Sequence, residues 1–282
     1  MIRYAYLHGL SSSPLATKAS RLSTAFESVH ETLERPDLNV PSFATLTFDA
    51  ALAALDDLAA KSPNARWRLI GSSMGGYLAA RWAEMRPGRV ERMLLLCPGF
   101  DFARRWPSLL GPDALARWER EGHWPIPDGT GTPVPVHWGF VTSARAHPAF
   151  PEFRCRARII HGTRDDIVPI DTSRELAARR SNVDLVEVED DHRLHASPEI
   201  INTHALGWLR NSDYHWDFFG PDRAATAAHF LEHLNDFLTR HERGHLPTEI
   251  TTPQPDIATV TCAAPLGDEA LLRNALRPHR KT

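Results

Sequence analysis

The chain has 282 residues, of which 42% are apolar and 24% charged, with a formal net charge of −3 and a pI near 6.6. This is an ordinary globular composition, enough for one good core and a small appendage, and its dispersed basic residues argue against a nucleic-acid or membrane-binding surface. No apolar run approaches the ~20 residues that span a bilayer, no signal-peptide pattern precedes the first strand, and Cys97, Cys155 and Cys262 are scattered without metal-ligand spacing, so the expectation is a cytoplasmic protein without a disulfide framework, metal or cofactor.

Residues 4–7 read as a short apolar strand ending in His8-Gly9-Leu10-Ser11-Ser12-Ser13-Pro14. Pro14 suits the first turn of a helix that continues to residue 26. Residues 32–41 read as a second short strand and 43–60 as a largely helical, Ala-rich stretch. The apolar run 67–70 then meets Gly71-Ser72-Ser73-Met74-Gly75-Gly76, and a helix-forming run with apolar residues at helical spacing follows to residue 84. A strand, a tight turn and a helix are implied.

Gly71, Ser73 and Gly75 make the G-x-S-x-G arrangement of a nucleophile elbow. A side chain at the tip of such a turn takes strained backbone angles, so the positions two before and two after it must be nearly free of atoms. Ser73 would then present its hydroxyl at a helix N-terminus, where backbone N–H groups and the helix dipole favour a developing oxyanion. The loop at Gly9-Leu10 is placed to supply a second N–H, from Leu10.

Residues 93–97 form a fully apolar strand of the kind buried on both faces of a parallel sheet. Alternation lapses over 101–153, an insertion rich in Pro that holds Trp106, Trp118, Trp124 and Trp138, half of the chain's eight Trp, with one short helix expected at 112–121. It reads as a lid shaping an apolar pocket, with those four residues as candidate lining. The strand 157–160 leads to His161-Gly162-Thr163-Arg164-Asp165-Asp166-Ile167-Val168-Pro169, a helix over 171–180, a strand over 184–188, then Glu189-Asp190-Asp191-His192-Arg193-Leu194-His195 and a helix over 198–210. The alternation predicts a doubly wound, mainly parallel α/β sheet.

Beyond a polar break at Asn211-Ser212-Asp213 come a helix over 224–241, a strand over 257–262 and a helix over 268–276. The reading is a domain over 1–212 and a small α+β appendage over 213–282 of no assigned role. Within it His229-Phe230-Leu231-Glu232-His233 spells H-x-x-E-H, a metalloprotease helix motif. Few residues remain downstream for a third ligand, so surface histidines are expected there and no metal.

A serine nucleophile needs an imidazole to take its proton and a carboxylate to orient that imidazole. Ser73, an acid after the 157–160 strand and a His after the 184–188 strand all fall at strand carboxyl ends, where distant loops of a parallel sheet meet, and in the order Ser, Asp, His. On these motifs, residues 1–210 resemble the α/β-hydrolases, most closely the small bacterial esterases of the YqiA/YcfP type. The resemblance implies Ser73 as nucleophile, Asp165 as acid, His192 as base, and the N–H groups of Leu10 and Met74 as oxyanion hole. The family pattern selects Asp165 over Asp166, and His192 over His195; Asp190 and Asp191 are read as turn or surface residues. The expected activity is cleavage of an ester or thioester of a small acyl group through an acyl-enzyme, with a small-molecule substrate. The alternatives are a binding protein on a hydrolase scaffold and a hydrolase of peptide or C–C bonds.

Overall fold

β1 (Ile2–Leu7) opens the first of two compact units, Met1–Ala205 and Leu206–Thr282; the computed structural model describes residues 1–282 apart from the Leu266 side chain. After α1 (Thr17–Glu27) comes β2 (Leu33–Glu34), shorter than the sequence suggested because Pro36 and Pro41 follow it and cannot donate to a ladder. α2 (Phe48–Ala60) starts where the Thr47 hydroxyl accepts the Ala50 N–H at 3.1 Å. β3 (Arg66–Ser72), α3 (Met74–Met85) and β4 (Val90–Leu96) continue the alternation.

The insertion then holds more regular structure than its sequence indicated. α4 (Phe102–Leu110) and α5 (Pro112–Glu121) lead to a two-stranded ribbon, β5 (His123–Pro127) and β6 (Pro133–His137), and to α6 (Gly139–Arg145). Pro125 pairs with Pro135 and Pro127 with Pro133. Proline is tolerated there because both strands of an isolated ribbon are edges and alternate N–H groups point outward. β7 (Arg156–Gly162), α7 (Asp171–Arg179), β8 (Val183–Val188) and α8 (Pro198–Thr203) complete the unit, with α8 passing into a π-helical turn over His204–Leu209.

Six parallel strands stand in the order β2-β1-β3-β4-β7-β8, the doubly wound sheet of an α/β-hydrolase. Side chains alternate across it. Ala5, Leu7, Trp67, Leu69, Met93, Leu95 and Ile159 join one core with α2 and α3, while Tyr4 turns to the opposite face and meets Phe26 of α1 edge-on at 5.0 Å. The register sets the strand ends level: Leu7 lies beside Gly71, Ser72 beside Leu96, Leu96 beside Ile160, and Gly162 beside Val188. The loops that follow these residues therefore emerge in a row at one edge of the sheet.

In the second unit the order is β9 (Asn211–Phe219), α9 (Arg223–Arg240), β10 (Thr248–Gln254), β11 (Ile257–Pro265), α10 (Glu269–Leu276) and β12 (Arg280–Lys281). The sheet runs β10-β11-β9-β12, all antiparallel, which is the β-α-β-β-α-β plait of ferredoxin-like modules. Tyr214, Trp216, Val260 and Cys262 on one sheet face pack with Leu234 and Leu238 of α9 and Leu272 of α10. The expected polar break at Asn211-Ser212-Asp213 is the start of β9, and it pairs with Ala263, Ala264 and Pro265. No described helix is long and apolar enough to cross a membrane.

Candidate active site

Ser73 joins β3 to α3 at φ 52° and ψ −118°. For a residue with a Cβ this conformation is strained by roughly 1–3 kcal/mol and persists only where the surroundings enforce it. Here they do. The Ser73 N–H donates to Leu96 O at 2.9 Å, and Ser73 O accepts the N–H groups of Gly76 and Gly99, each at 2.9 Å. A Cβ on Gly75 would stand 2.1 Å from Leu7 O, so only glycine lets α3 start this close to β1.

The loops level with Ser73 converge on its hydroxyl. Ser73 Oγ lies 3.0 Å from His192 Nε2, and His192 Nδ1 lies 2.7 Å from Asp165 Oδ2. An ionised carboxylate only accepts, so Nδ1 carries a proton and Nε2 is left to accept from the serine hydroxyl. The Asp165 side chain is fully buried. Burial pushes its carboxyl up, but hydrogen bonds from His161 and His192, the His192 charge and the Val168 N–H outweigh that and hold it well below the usual carboxylate range.

The loop carrying His192 is shaped by Asp190. Its Oδ1 accepts from Asp191 N at 2.8 Å, and its Oδ2 accepts from Ala196 N at 2.9 Å and Ser197 Oγ at 2.8 Å. A turn role for Asp190 is what these bonds describe. Arg164 N donates to Asp190 O at 3.0 Å, which fastens the acid loop to the histidine loop. Asp166, Asp191 and His195 are exposed. On the other side of the serine, a Cβ on Gly9 would stand 3.2 Å from Ser73 Cβ, so the Gly9-Leu10 backbone runs directly over the nucleophile position. The buried His8 fixes that backbone: Leu38 N donates to its Nε2 at 2.9 Å, leaving Nδ1–H to donate to Gly9 O at 2.9 Å. Among the described hydrogen bonds, the N–H groups of Leu10 and Met74 have no acceptor.

The four insertion tryptophans occupy a different place from the one expected. Trp106 and Trp118 are buried and meet edge-on at 5.2 Å; Trp118 meets Trp138 at 5.7 Å and donates its Nε1–H to Val136 O at 2.9 Å. Trp124 and Trp138 pack against the same core, half-buried. Edge-to-face stacking among large rings removes more apolar surface from water than lining an open cleft would. These residues therefore fill the insertion. A cavity of about 440 Å³ lies instead between Phe48, Tyr77, Phe102 and His147, and a smaller one of about 50 Å³ adjoins the histidine loop at Lys18, Leu194 and His195. The Arg105 guanidinium of α4 donates to Ile167 O, which ties the insertion to the acid loop.

Three residues at the site had no role in the sequence reading. Cys97, at φ 43° just after β4, is buried and brings its sulfur into one group with Asp165 and His192, their ligand-type atoms within 4.8 Å of each other. Burial pushes its thiol up, as do Asp165's charge and hydrogen bond. Lys18 of α1 donates to Ser72 Oγ at 3.3 Å, and burial lowers its ammonium pKa against the opposing charges of Cys97, Asp190, Asp191 and Asp165. His161 is fully buried beside Asp165. Each lies at the carboxyl end of a core strand or on the first helix facing it, the placement that could have marked them. On α9, His229 and His233 bring their Nε2 atoms to 3.1 Å on an exposed face, and among the described residues no third metal-ligand side chain joins them.

The sequence profile of a family described as uncharacterised protein family UPF0227 matches residues 3–204. The mitochondrial palmitoyl-protein thioesterase ABHD10 of Bos taurus is 28% identical over 157 residues, 53% of this chain and 50% of that protein, so the chain spans about half the length of the curated relatives it matches. Among solved structures, one from Agrobacterium vitis S4 superposes with a TM-score of 0.64 at 24% identity, over 73% of this chain and 87% of that one. The alpha/beta hydrolase domain-containing protein 10 from mouse superposes with a TM-score of 0.58 at 22% identity, over 72% and 87%. The two structural likenesses concern the fold.

Proposed function

This chain belongs to family UPF0227, within the α/β-hydrolase superfamily, and from that premise we propose that it is a serine hydrolase cleaving carboxylic ester or thioester bonds of small acyl substrates. The observation that carries the reading is the unbroken hydrogen-bonded order Ser73, His192, Asp165, at 3.0 and 2.7 Å, beside two backbone N–H groups that have no acceptor among the described residues.

In this reading His192 Nε2 takes the proton of Ser73 as Oγ attacks the acyl carbon. The oxyanion is held by the N–H groups of Leu10 and Met74, the second at the start of α3, where the helix dipole adds to it. Asp165 stabilises the charged imidazole, which passes its proton to the departing alkoxide or thiolate. Water, activated by the same imidazole, then releases the acyl group. Support for a small acyl group is the insertion's own packing, since Trp106, Trp118 and Trp138 stack on one another rather than around a cleft. A palmitoyl thioester, which the name of the bovine relative brings in, is the long-chain limit of the same test.

That test is labelling by a fluorophosphonate probe, wild type beside Ser73→Ala, followed by chain-length series of p-nitrophenyl esters and S-acyl thioesters. Labelling of wild type alone is expected, with turnover in Ser73→Ala lower by about 10⁴ to 10⁶ and its folding unchanged. A folded wild type that does not label, or a mutant that turns over esters as fast, overturns the proposal.

A further inference from the structure

The Asp165 carboxylate is fully used. Oδ1 accepts Ile167 N at 2.9 Å and Val168 N at 2.7 Å. Oδ2 accepts His192 Nδ1 at 2.7 Å and is also approached by His161 Nε2 at 3.1 Å. A carboxylate offers about four lone-pair positions, and these four groups crowd them, with the Cys97 thiol also hydrogen-bonding to the same carboxyl. The first two donors come from the acid loop itself and the third is the base. The fourth, an imidazole from the end of β7, has no part in the mechanism so far described.

We propose that His161 is a positioning residue of this site: held by Ser173, its Nε2–H donates to the same Asp165 oxygen that accepts from His192, and so sets how strongly that oxygen draws on His192. The proposal rests on the reading of Ser73, His192 and Asp165 given above. The proton placement follows from the neighbours. Nε2 faces two groups that only accept, Asp165 Oδ2 at 3.1 Å and Val168 O at 2.9 Å, so Nε2 carries a hydrogen, which bonds to Val168 O with the Asp165 oxygen beside it. Nδ1 lies 2.8 Å from Ser173 Oγ, whose hydroxyl donates to it in the neutral imidazole. His161 and Ser173 are both wholly buried, so losing either bond leaves a polar atom without water to replace it. The result is one chain of contacts, Ser173, His161, Asp165, His192, Ser73, wholly buried at its first three side chains and partly exposed at the last two, that extends the three reacting groups by two.

A second donor on Oδ2 spreads that oxygen's charge over two hydrogens. The carboxylate then draws less strongly on the Nδ1–H of His192 than an unshared one would. The other titratable and charged groups around this chain include Lys18 of α1, Cys97 after β4, Arg105 of α4, Glu187 of β8 beside His161, and Asp190 and Asp191 of the histidine loop.

The first measurement needs only the wild-type protein: histidine ¹⁵N NMR. His161 should hold its proton on Nε2 with Nδ1 accepting, and a proton found on Nδ1 of a neutral ring overturns the proposal. This readout is independent of turnover, so it stands even if the protein fails to label with a fluorophosphonate and the hydrolase reading falls. The second is the pH profile of kcat/KM for a p-nitrophenyl ester. In His161→Leu the acid limb should move to higher pH by about half a unit to one unit, with the high-pH plateau lowered less than about tenfold. His161→Gln, whose side-chain amide can donate to the same oxygen, should return the limb to its wild-type position. A Leu variant that loses thermal stability while its limb stays in place would reduce His161 to packing. Should Leu prevent folding, Ser173→Ala serves instead: releasing Nδ1 should shift the limb the same way by less, and an unmoved limb overturns the proposal.

Discussion

Glycine means different things in the two units. Around Ser73 it marks backbones in contact: a Cβ on Gly75 would meet Leu7 O at 2.1 Å, and one on Gly162 would meet Asp190 O at 2.4 Å. In the plait, Gly220 has nothing within 4 Å of an added Cβ and is there for its φ of 89°, at the turn that leaves β9. The hydrolase unit has a place where several loops must pass within van der Waals range, and the side chains between them are reduced to hydrogen. Among the described glycines of the plait the tightest is Gly244, whose added Cβ would meet only the Thr239 hydroxyl at 3.0 Å. The plait's constraint is a sheet face covered by two helices, which many side chains can satisfy.

The same substitution should therefore separate the units. Gly75→Ala forces a methyl against two backbone carbonyls, of Leu7 and His8, that belong to the central sheet and its following loop. Backbone cannot swing aside as a flexible side chain does, and the expected loss is about 4 kcal/mol or more, read as a lowered denaturation midpoint of the hydrolase unit or as failure to accumulate folded protein. Gly220→Ala meets no atom and pays only for a left-handed φ, about 1 kcal/mol, visible as faster hydrogen exchange in β9 and β11. If Gly75→Ala proved as mild as Gly220→Ala, the tight elbow would be wrong in geometry.

The same contrast governs what could be read from the sequence. The elbow, the acid loop and the histidine loop were legible because contact and strain leave few residues that fit: Gly71, Ser73 and Gly75 at fixed spacing, His161-Gly162 before Asp165, and Asp191-His192 after a strand. The core strands were legible because residues buried on both faces must be apolar, as in Met93-Leu94-Leu95-Leu96. The plait was not. β10 is exposed along most of its length and reads Thr-Glu-Ile-Thr-Thr-Pro-Gln, β12 has two residues, and β9 begins with Asn211-Ser212-Asp213, which looks like a turn until its ladder to β11 is seen. An edge strand held by one neighbour needs little hydrophobic pattern. The tryptophans of the insertion misled for a related reason. Their number indicated a large apolar surface, but composition does not say whether aromatic rings face a ligand or one another, and here Trp106, Trp118 and Trp138 face one another. The work of His161 is not legible in the sequence because its partners, Ser173 and Val168, lie in a helix and a loop further along the chain.

The smallest expected difference between the units is their response to mild acid. In the hydrolase unit His147 and His204 are both shifted below their ordinary value of 6.5, burial being the largest cause for each. A histidine whose folded pKa is depressed binds fewer protons folded than unfolded as pH falls through 6.5, so the stability it contributes above that value is lost below it. In the plait the shifted groups are Asp217 and Glu269, both lowered, and Cys262 and Arg243, both raised. The two lowered carboxylates contribute stability that is lost only as pH falls below their ordinary values of 3.8 and 4.5, and the two raised groups titrate far above neutrality. Between about pH 7 and 5.5, then, protection factors corrected for intrinsic exchange should fall on the order of two- to fivefold for amides of β3 and β4, and hold for β9 and β11. His147 stacks on Phe48 at 6.1 Å and its Nδ1 accepts from Arg81 Nε at 3.2 Å, so His147→Gln should remove part of the fall in the hydrolase unit. Equal losses in both units over this range would mean that the acid response belongs to groups they have in common, and that buried histidines do not set it.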